Sequence, residues 1–277
     1  MVQTPVFRTA VTGSDMRKVV GLVATRPRLN ALLAVSLPSI AAQHKPPDSL
    51  IIVSDRAPLT QEEKAQLGRV VPGLDVIFLA NVRPSGVANT WNTGLVYIQE
   101  RWPDAYIAIL DDDDTWDADH LKSCFDSAQI SDWPDVVLSG LRVKQSGAVT
   151  ERPIATPLTC DLFLVGNPGW QGSNTFALGS CLADAGNFTE GLASCNDRDL
   201  AIRILSREQT RLAVTGRSTA TWNLGLCPDA LTLPGPNKLA GLRHFYALHA
   251  HRMTDEVRQQ FFERTQTLFG LGVSDLI

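Results

Sequence analysis

The stretch that decides the fold is AYIAILDDDDTW, residues 105–116, in which an apolar run ends in four consecutive aspartates. Its first six residues, 105–110, are uniformly apolar, and such a run is typical of a strand buried on both faces of a parallel sheet. Four adjacent carboxylates repel one another unless a cation neutralises them. We therefore interpret Asp111 to Asp114 as a strand end that faces a ligand, with a solvated acidic turn as the simpler alternative.

Similar apolar runs precede this stretch and alternate with helical patterns. Three further strands are predicted at KVVGLVAT (18–25), SLIIVS (49–54) and LDVIFLA (74–80). A helix is predicted between the third of them and the acidic strand, over residues 87–101. This order predicts an α/β fold whose central sheet is mostly parallel and carries helices on both faces. Ligands bind at the carboxyl ends of the strands in such sheets.

The second half of the chain has a different pattern. It predicts a strand, a helix and then two strands, at residues 136–143, 195–206, 210–216 and 218–223. After LPGPN (233–237), two helices close the chain. We therefore expect a smaller mixed subregion followed by C-terminal helices.

Composition narrows the class of protein. The 25 Lys and Arg residues and 29 Asp and Glu residues give a net charge of −4, which argues against a nucleic-acid partner. The chain has no apolar run of the roughly 18 residues that a transmembrane span needs. Residues 1–18 lack a signal-peptide pattern, and the five cysteines form no C-x-x-C pair. We therefore expect a cytoplasmic protein, either free or peripheral to a membrane.

Several stretches, in this order along the chain, resemble the family-2 glycosyltransferases of the GT-A fold. The nucleotide-binding half of that family is similar to VVGLVATRPRLNALLAVSLPSI, IIVSDRAP, GVANTWNTGL and YIAILDDDDTWDADHL, and its acceptor half to GSNTFALGSCLADAGNF and CNDRDLAIRIL. The resemblance implies a Rossmann-like GT-A sheet and an inverting transferase. It divides one domain, 17–277, into a nucleotide-sugar half (17–125), an acceptor and catalytic half (126–230) and C-terminal helices (231–277), after a flexible extension (1–16).

The resemblance also assigns the donor site. In the family, the ends of the first two strands bind the nucleotide base, and these positions hold Thr25, Arg26 and Asp55. An aspartate can accept the imide N–H of uracil, so Asp55 favours a UDP-sugar, although a simple turn residue would also suit this position. Asn92 matches the asparagine of the family's A-R-N element, but Trp91 stands where the family often has a basic residue.

The acidic run matches the D-x-D motif of the family. There, one acidic residue contacts the ribose and a later one binds Mn²⁺ or Mg²⁺ across the diphosphate. The resemblance implies the ribose role for Asp112 and the metal role for Asp113, with Asp111 beside them. Because the run consists only of aspartates, this register could shift by one residue.

The chain departs from the family near the diphosphate. Asn223 stands where many members have a histidine, and an asparagine is a poorer metal ligand than a carboxylate. The later histidines, His244, His249 and His251, do not share one helical face. We expect them on a helix surface.

CNDRDL matches the catalytic motif of the family, and it implies that Asp197 is the general base that deprotonates an acceptor hydroxyl. A second interpretation is that Asn196 or Asp197 only caps the helix that begins here. Further acceptor-side candidates are Trp170, Gln171, Asn174 and Asp199, although Trp170 could equally be a core residue and Asp199 a cap. The acceptor itself stays open: a glycan, a lipid-linked group, a peptide or a small molecule.

Other functions fit the residues less well. A sugar nucleotidyltransferase needs a glycine-rich phosphate loop after the first strand, and VATRPRLN (23–30) has no glycine. An aspartate-based phosphatase needs its nucleophile after that strand, where Thr25 and Arg26 offer none. An inactive nucleotide-sugar-binding module would not require both Asp113 and Asp197.

Overall fold

The computed structural model describes residues 17–26, 28–226 and 234–277, so the predicted extension over residues 1–16 lies outside the described residues. The strands are β1 Val19–Thr25, β2 Ser49–Ser54, β3 Val76–Ala80, β4 Tyr106–Asp111, β5 Thr115–Trp116, β6 Val136–Gln145, β7 Ala148–Arg152, β8 Thr175–Leu178 and β9 Leu212–Asn223. The α-helices are α1 Leu29–Ala31, α2 Leu37–Ala41, α3 Gln61–Val70, α4 Val87–Arg101, α5 His120–Ile130, α6 Cys160–Val165, α7 Gly179–Asp184, α8 Asn196–Leu205, α9 Pro236–His249, α10 Asp255–Phe269 and α11 Val273–Leu276. A π-helical turn, Leu32–Ser36, joins α1 to α2.

The strands form one sheet in the order β3-β2-β1-β4-β8-β6-β9-β5, with β7 paired to β6. β3, β2, β1 and β4 are parallel neighbours, as the alternation of apolar runs and helices predicted. β8 lies antiparallel between β4 and β6, whereas β6 and β9 run parallel. The α/β prediction, with a mixed second half, is therefore confirmed, and the carboxyl ends of β1, β2 and β4 meet at one edge.

Close packing explains why the first half is so regular. All seven residues of β1 are buried, in keeping with a strand that is covered on both faces. On one face, α4 crosses the strand at Gly94, where a Cβ would lie 2.3 Å from Leu22 Cδ1. Glycine at this position lets the helix backbone approach the sheet, and this approach fixes where α4 begins relative to the strand ends.

The prediction of two strands at 210–216 and 218–223 is wrong, because β9 is one continuous strand over Leu212–Asn223. Leu138 of β6 pairs with Val214 of β9, and Gly140 pairs with Ser218, so β9 carries extra residues between these two pairs. Gly216 lies within that bulge, with a φ of 68°. The glycine that suggested a turn therefore allows a bulge instead.

The C-terminal helices pack on the second half of the chain. Thr254 caps α10 by accepting a hydrogen bond from Val257 N at 3.2 Å, and the helix ends at Gly270 in the left-handed conformation. Phe245 of α9 and Phe261 of α10 are fully buried, so both helices join the core. Across residues 17–26, 28–226 and 234–277, no helix combines the length and the apolar character that a bilayer span requires.

Candidate active site

A cavity of about 660 Å³ opens at the sheet edge where the parallel strands end, between β1, β4 and the start of α8. This volume lies within the range of small-molecule sites. The cavity brings together most of the residues that the sequence singled out: Thr25, Arg26, Asp55, Asp111, Asp112, Asp113, Gln171 and Asp197.

Asp112 and Asp113 are held by side chains at the end of β1 and just after it. The Thr25 hydroxyl donates to Asp112 Oδ2 at 2.5 Å. Arg28 bridges the two carboxylates, with Nη2 lying 3.2 Å from Asp112 Oδ1 and Nη1 lying 3.3 Å from Asp113 Oδ2. The Asp112 side chain is 2 % exposed and that of Asp113 18 %, so Asp113 is the more accessible to a ligand.

The other two aspartates of the run carry raised pKa values. Burial, together with the charges of the neighbouring aspartates, raises the pKa of Asp111 well above its usual range. Burial and the charge of Asp113 likewise raise the pKa of Asp114 to about 7. Asp114 is nevertheless tied into the fold, since it accepts hydrogen bonds from Ser173 Oγ at 2.6 Å and from the Asn223 N–H at 2.9 Å.

The residues present fit a divalent cation of the Mg²⁺ or Mn²⁺ type. Such hard cations prefer oxygen ligands, and Mg²⁺ typically takes one or two carboxylates plus substrate phosphates. The mutual repulsion of the aspartates shows excess negative charge that a cation would relieve. Within the part of the chain that the structure describes, no three His, Cys, Asp or Glu side chains form a complete metal site. A cation at this position would have Asp113 as its accessible carboxylate and would take further ligands from the substrate.

Asp55 sits at the end of β2 in a dense set of hydrogen bonds. Its Oδ1 accepts from Asn81 Nδ2 at 2.9 Å, and its Oδ2 accepts from Ser85 Oγ at 2.7 Å and from the Gly86 N–H at 3.2 Å. Burial acts to raise the pKa of Asp55, but these hydrogen bonds outweigh it and lower the pKa. Asp55 is thus a fixed anion that lines the cavity, and its Oδ1 keeps acceptor capacity for a ligand N–H.

Asp197 lies in the first turn of α8. The capping position is Cys195, in the left-handed conformation, so neither Asn196 nor Asp197 is the N-cap, contrary to the capping interpretation. Burial raises the pKa of Asp197 to about 7, against the opposing effects of the Gly172 backbone N–H and Lys238. The charge of Asp197 in turn acts on Asp111, and both carboxylates line the same cavity.

Asp199 has neither of the roles that the sequence suggested. Successive residues of an α-helix are 100° apart, so a residue two positions on faces away from the cavity. Asp199 accepts hydrogen bonds from Arg203 Nη2 at 2.7 Å and from Thr189 Oγ1 at 2.7 Å, and its Oδ1 lies 2.9 Å from His249 Nε2. His249 is 4 % exposed, so the prediction of a surface histidine is also wrong at this position.

Three other predicted ligand contacts do not line the cavity, because their polar groups bind the fold itself. Asn92 exchanges two hydrogen bonds with the Phe188 backbone, at 2.8 and 2.9 Å. Trp170 is buried and donates to Thr175 Oγ1 at 2.8 Å, which supports its core interpretation. Asn174 donates to two backbone carbonyls, at 2.6 and 2.8 Å.

Sequence reasoning missed the basic lining of the cavity. Arg28, Arg152, Lys238 and Arg264 all face it, from four separate parts of the chain. Only Arg28 had a local signal, since it follows the first strand closely. Two lining residues also carry polar atoms that have no hydrogen-bond partner in the described structure, Trp91 Nε1 and Asn196 Oδ1. Both atoms are buried beside the cavity.

Solved structures share this architecture at low sequence identity. TarS 1–349 of S. aureus in complex with UDP-GlcNAc aligns with a TM-score of 0.64 at 15% identity, over 91% of this chain and 73% of that one. The mannosyltransferase PcManGT of Pyrobaculum calidifontis, in complex with GDP-Man and Mn²⁺, aligns with a TM-score of 0.58 at 16% identity, over 92% and 70% of the two chains. Both likenesses concern the fold, and they confirm the predicted glycosyltransferase architecture.

Sequence comparison then identifies the family. No curated protein matched the chain. The profile described as "Glycosyl transferase family 2" matches residues 23–179, which include the end of β1, the acidic run at the end of β4 and the turn that carries Gln171. Since this match spans more than half of the 277 residues, the chain belongs to glycosyl transferase family 2.

Proposed function

We propose that the protein is an inverting glycosyltransferase that moves a sugar from a nucleoside-diphosphate sugar to an acceptor hydroxyl. One observation carries this proposal: Asp197, a carboxylate with a pKa near 7, shares a single cavity with the acidic run at the end of β4. The first group suits proton abstraction near neutral pH, and the second suits a diphosphate held through a divalent cation.

The donor we propose is a UDP-sugar. Asp55 is ionised, fixed in place and able to accept one further hydrogen bond, as the imide N–H of uracil would require. TarS was solved with UDP-GlcNAc and PcManGT with GDP-Man, so these neighbours support a nucleotide sugar but disagree on the base. The choice of uridine therefore rests on Asp55.

We assign the cation to Asp113, with Asp111 close by, and the ribose to Asp112. A Mn²⁺ or Mg²⁺ ion bound there would neutralise charge on the departing diphosphate. Thr25 and Arg28 hold the Asp112 carboxylate, and Arg28 also contacts Asp113, so these two side chains preset the geometry of the acidic run.

Asp197 takes the proton of the acceptor hydroxyl in this scheme. The acceptor oxygen forms a bond to the anomeric carbon while the bond from that carbon to the diphosphate breaks. A single displacement of this kind inverts the configuration at the anomeric carbon. We propose a cytoplasmic location on the sequence grounds given above.

The direct test incubates the purified protein with nucleotide sugars and Mn²⁺ and measures the release of nucleoside diphosphate. We expect slow release from a UDP-sugar even without acceptor, and stronger competition by UDP than by CDP, GDP or ADP. A preference for GDP or ADP would contradict the role of Asp55. Formation of pyrophosphate from UTP and a sugar phosphate would instead support a nucleotidyltransferase. Binding without any turnover would indicate an inactive module.

The metal role has its own test. Calorimetry should show that UDP binds more tightly with Mn²⁺ than with chelator, and that Asp113→Ala abolishes the difference. Asp132→Ala is the matched control, because Asp132 is exposed and lies outside the cavity. Equal UDP affinity in all conditions would contradict the metal assignment.

A further inference from the structure

A group of basic side chains lines the cavity on the side of the C-terminal helices. Arg152 ends β7, Lys238 lies in the first turn of α9, and Arg264 lies in α10. None of the three forms an ion pair with an acidic side chain of the described residues, whereas Arg83, Arg142, Arg203 and Arg207 each do. We call these three residues the basic cluster.

Lys238 is the most informative member of the basic cluster, because its ammonium group is buried without a hydrogen bond or ion pair to the described residues. It is only 9 % exposed, yet within the described chain its ammonium group has neither a hydrogen bond nor an ion pair, and its ring contact is with Phe269. Burial lowers its pKa, and the charge of Asp197 only partly offsets this effect. A buried, unpaired ammonium group is costly unless a ligand supplies the counter-charge.

Arg152 and Arg264 place two like charges next to each other. Burial and the charge of Arg152 both lower the pKa of Arg264. The Arg264 guanidinium lies against Gly166, where a Cβ would stand 2.6 Å from Nε, so the absence of a side chain there makes room for it. Arg152 donates one hydrogen bond, from Nη2 to the Asn167 carbonyl at 2.9 Å, and keeps its other donors.

Arg198, which also lines the cavity, differs from the basic cluster. Its Nε donates to the Phe163 carbonyl at 2.8 Å and its Nη2 to the Leu164 carbonyl at 2.7 Å, which are free carbonyls in the last turn of α6. Its guanidinium also lies 4.1 Å from the Phe245 ring. The fold therefore uses the Nε and Nη2 donors of Arg198, whereas in the basic cluster only Arg152 Nη2 has a hydrogen-bond acceptor among the described residues.

The basic cluster and the acidic run line the same cavity as Asp197 but come from different elements, the cluster from β7, α9 and α10 and the run from the end of β4. Asp197 interacts electrostatically both with Asp111, at the end of β4, and with Lys238 of the basic cluster, in α9. The donor diphosphate belongs with the acidic run and its cation, so the cluster is left for the second substrate. We propose that Arg152, Lys238 and Arg264 bind a phosphate group of the acceptor and thereby hold its hydroxyl at Asp197.

Phosphate matches the basic cluster better than a carboxylate does. Three cations face the site, and a phosphate monoester carries close to two negative charges at neutral pH. Arginine pairs bind phosphate oxygens through bidentate hydrogen bonds. The phosphate is unchanged in the reaction, since only the acceptor O–H and the bond to the nucleotide break. This inference rests on the proposed function, because it presupposes that Asp197 meets an acceptor.

The test measures binding of small acceptor probes by calorimetry with saturating UDP and Mg²⁺, which fill the donor end. We expect sn-glycerol 3-phosphate to bind at least about tenfold more tightly than glycerol, as one or two charge-assisted hydrogen bonds provide. Arg264→Gln and Arg152→Gln should each remove about tenfold of that affinity and leave UDP affinity unchanged. Arg69→Gln is the control, since Arg69 is an exposed residue of α3 outside the cavity.

Three results would overturn the inference. Equal binding of glycerol and its phosphate would show that the cluster recognises no phosphate. Tighter binding of glycerate would assign the site to carboxylates. A loss of UDP affinity in the arginine variants would assign the cluster to the donor. Release of UDP from a UDP-sugar without acceptor is measured in parallel, and its absence would contradict the proposed function without bearing on these three results.

Discussion

The first turn of α8 presents two carboxylates that are two residues apart and lie on opposite sides of the helix. Asp197 faces the cavity and Asp199 faces the core. Burial raises the pKa of Asp197 to about 7. Burial also acts to raise the pKa of Asp199, but hydrogen bonds from His249, Arg203 and Thr189 together with the charge of Arg203 lower it to about 2.

The pKa values of Asp197 and Asp199 differ because the two carboxylates have different hydrogen-bond and ionic partners, since burial acts to raise both pKa values. Asp199 is bound by three side chains, so it is ionised at any physiological pH and acts as a structural anion. Asp197 has backbone N–H groups and a more distant Lys238. A carboxylate that the fold leaves partly uncompensated can take up a proton near neutral pH, which is what a general base requires.

The largest expected effect tests the cavity side. Asp197→Asn should lower sugar transfer by ~10² to 10⁴, the span for loss of a general base. UDP affinity should stay the same, and stability should stay equal or rise, since the variant removes a carboxylate that is costly to ionise. Transfer assays, calorimetry and thermal unfolding check the three parts. Near-complete activity would show that Asp197 is not the base, and a loss of UDP affinity in proportion to transfer would place it at the diphosphate.

Substitution of Asp199, on the core side of α8, should lower stability and leave transfer almost unchanged. Asp199→Asn leaves Arg203 without its counter-charge and weakens the hydrogen bond to His249, and we expect the free energy of unfolding to fall by about 3 kcal/mol. Transfer per folded molecule should change by less than about twofold, because Asp199 does not line the cavity. Denaturant unfolding and a transfer assay at low temperature measure these quantities. An inactive Asp199→Asn beside an active Asp197→Asn would show that the two assignments are exchanged.

The sequence pointed to Asp197, which lies in a motif and faces the cavity. It did not predict the contacts of Asp199, which faces the core. Asp197 and the acidic run belong to short stretches whose spacing is visible along the chain. One of the three partners of Asp199 is His249, which is fifty residues away and reaches the carboxylate only because α9 docks on α8. No local sequence pattern predicts such a contact, and we therefore predicted that His249 lies on a helix surface.

The same limit explains the other corrections. The parallel half was predictable because apolar strands and helices alternate in it, but Asn92 and Asn174 bind backbone groups that only the folded chain brings near. The basic cluster is drawn from β7, α9 and α10, so it exists only once the C-terminal helices pack. Residues that act through distant neighbours cannot be assigned from spacing alone.

The pH dependence separates the two carboxylates again. The transfer rate kcat/KM should fall below about pH 7, by tenfold per pH unit, as Asp197 becomes protonated, and Asp197→Asn should remove this limb. Asp199 has a lowered pKa in the folded state, so its contribution of about 2 kcal/mol is present above about pH 4 and is lost as the pH falls towards 2. Rate profiles and unfolding at each pH measure the two limbs. If kcat/KM of the Asp197→Asn variant still falls below about pH 7, the group that titrates is not Asp197.

The smallest expected effect concerns the hydrogen bond that joins α9 to Asp199. Because Asp199 is ionised it can only accept, so His249 Nε2, 2.9 Å from Oδ1, must carry the proton. His249 Nδ1 has no partner in the described structure, and the ring lies 4.7 Å from that of Phe245. His249→Gln keeps an amide donor but loses this ring contact and the fixed geometry, which should cost about 1 kcal/mol of unfolding free energy.

The double variant with Asp199→Asn should lose less unfolding free energy than the two single losses added together, because the residues share one interaction. Additive losses would show that His249 stabilises the protein without Asp199, and a fall in transfer by His249→Gln would show that the core side of α8 controls the cavity side.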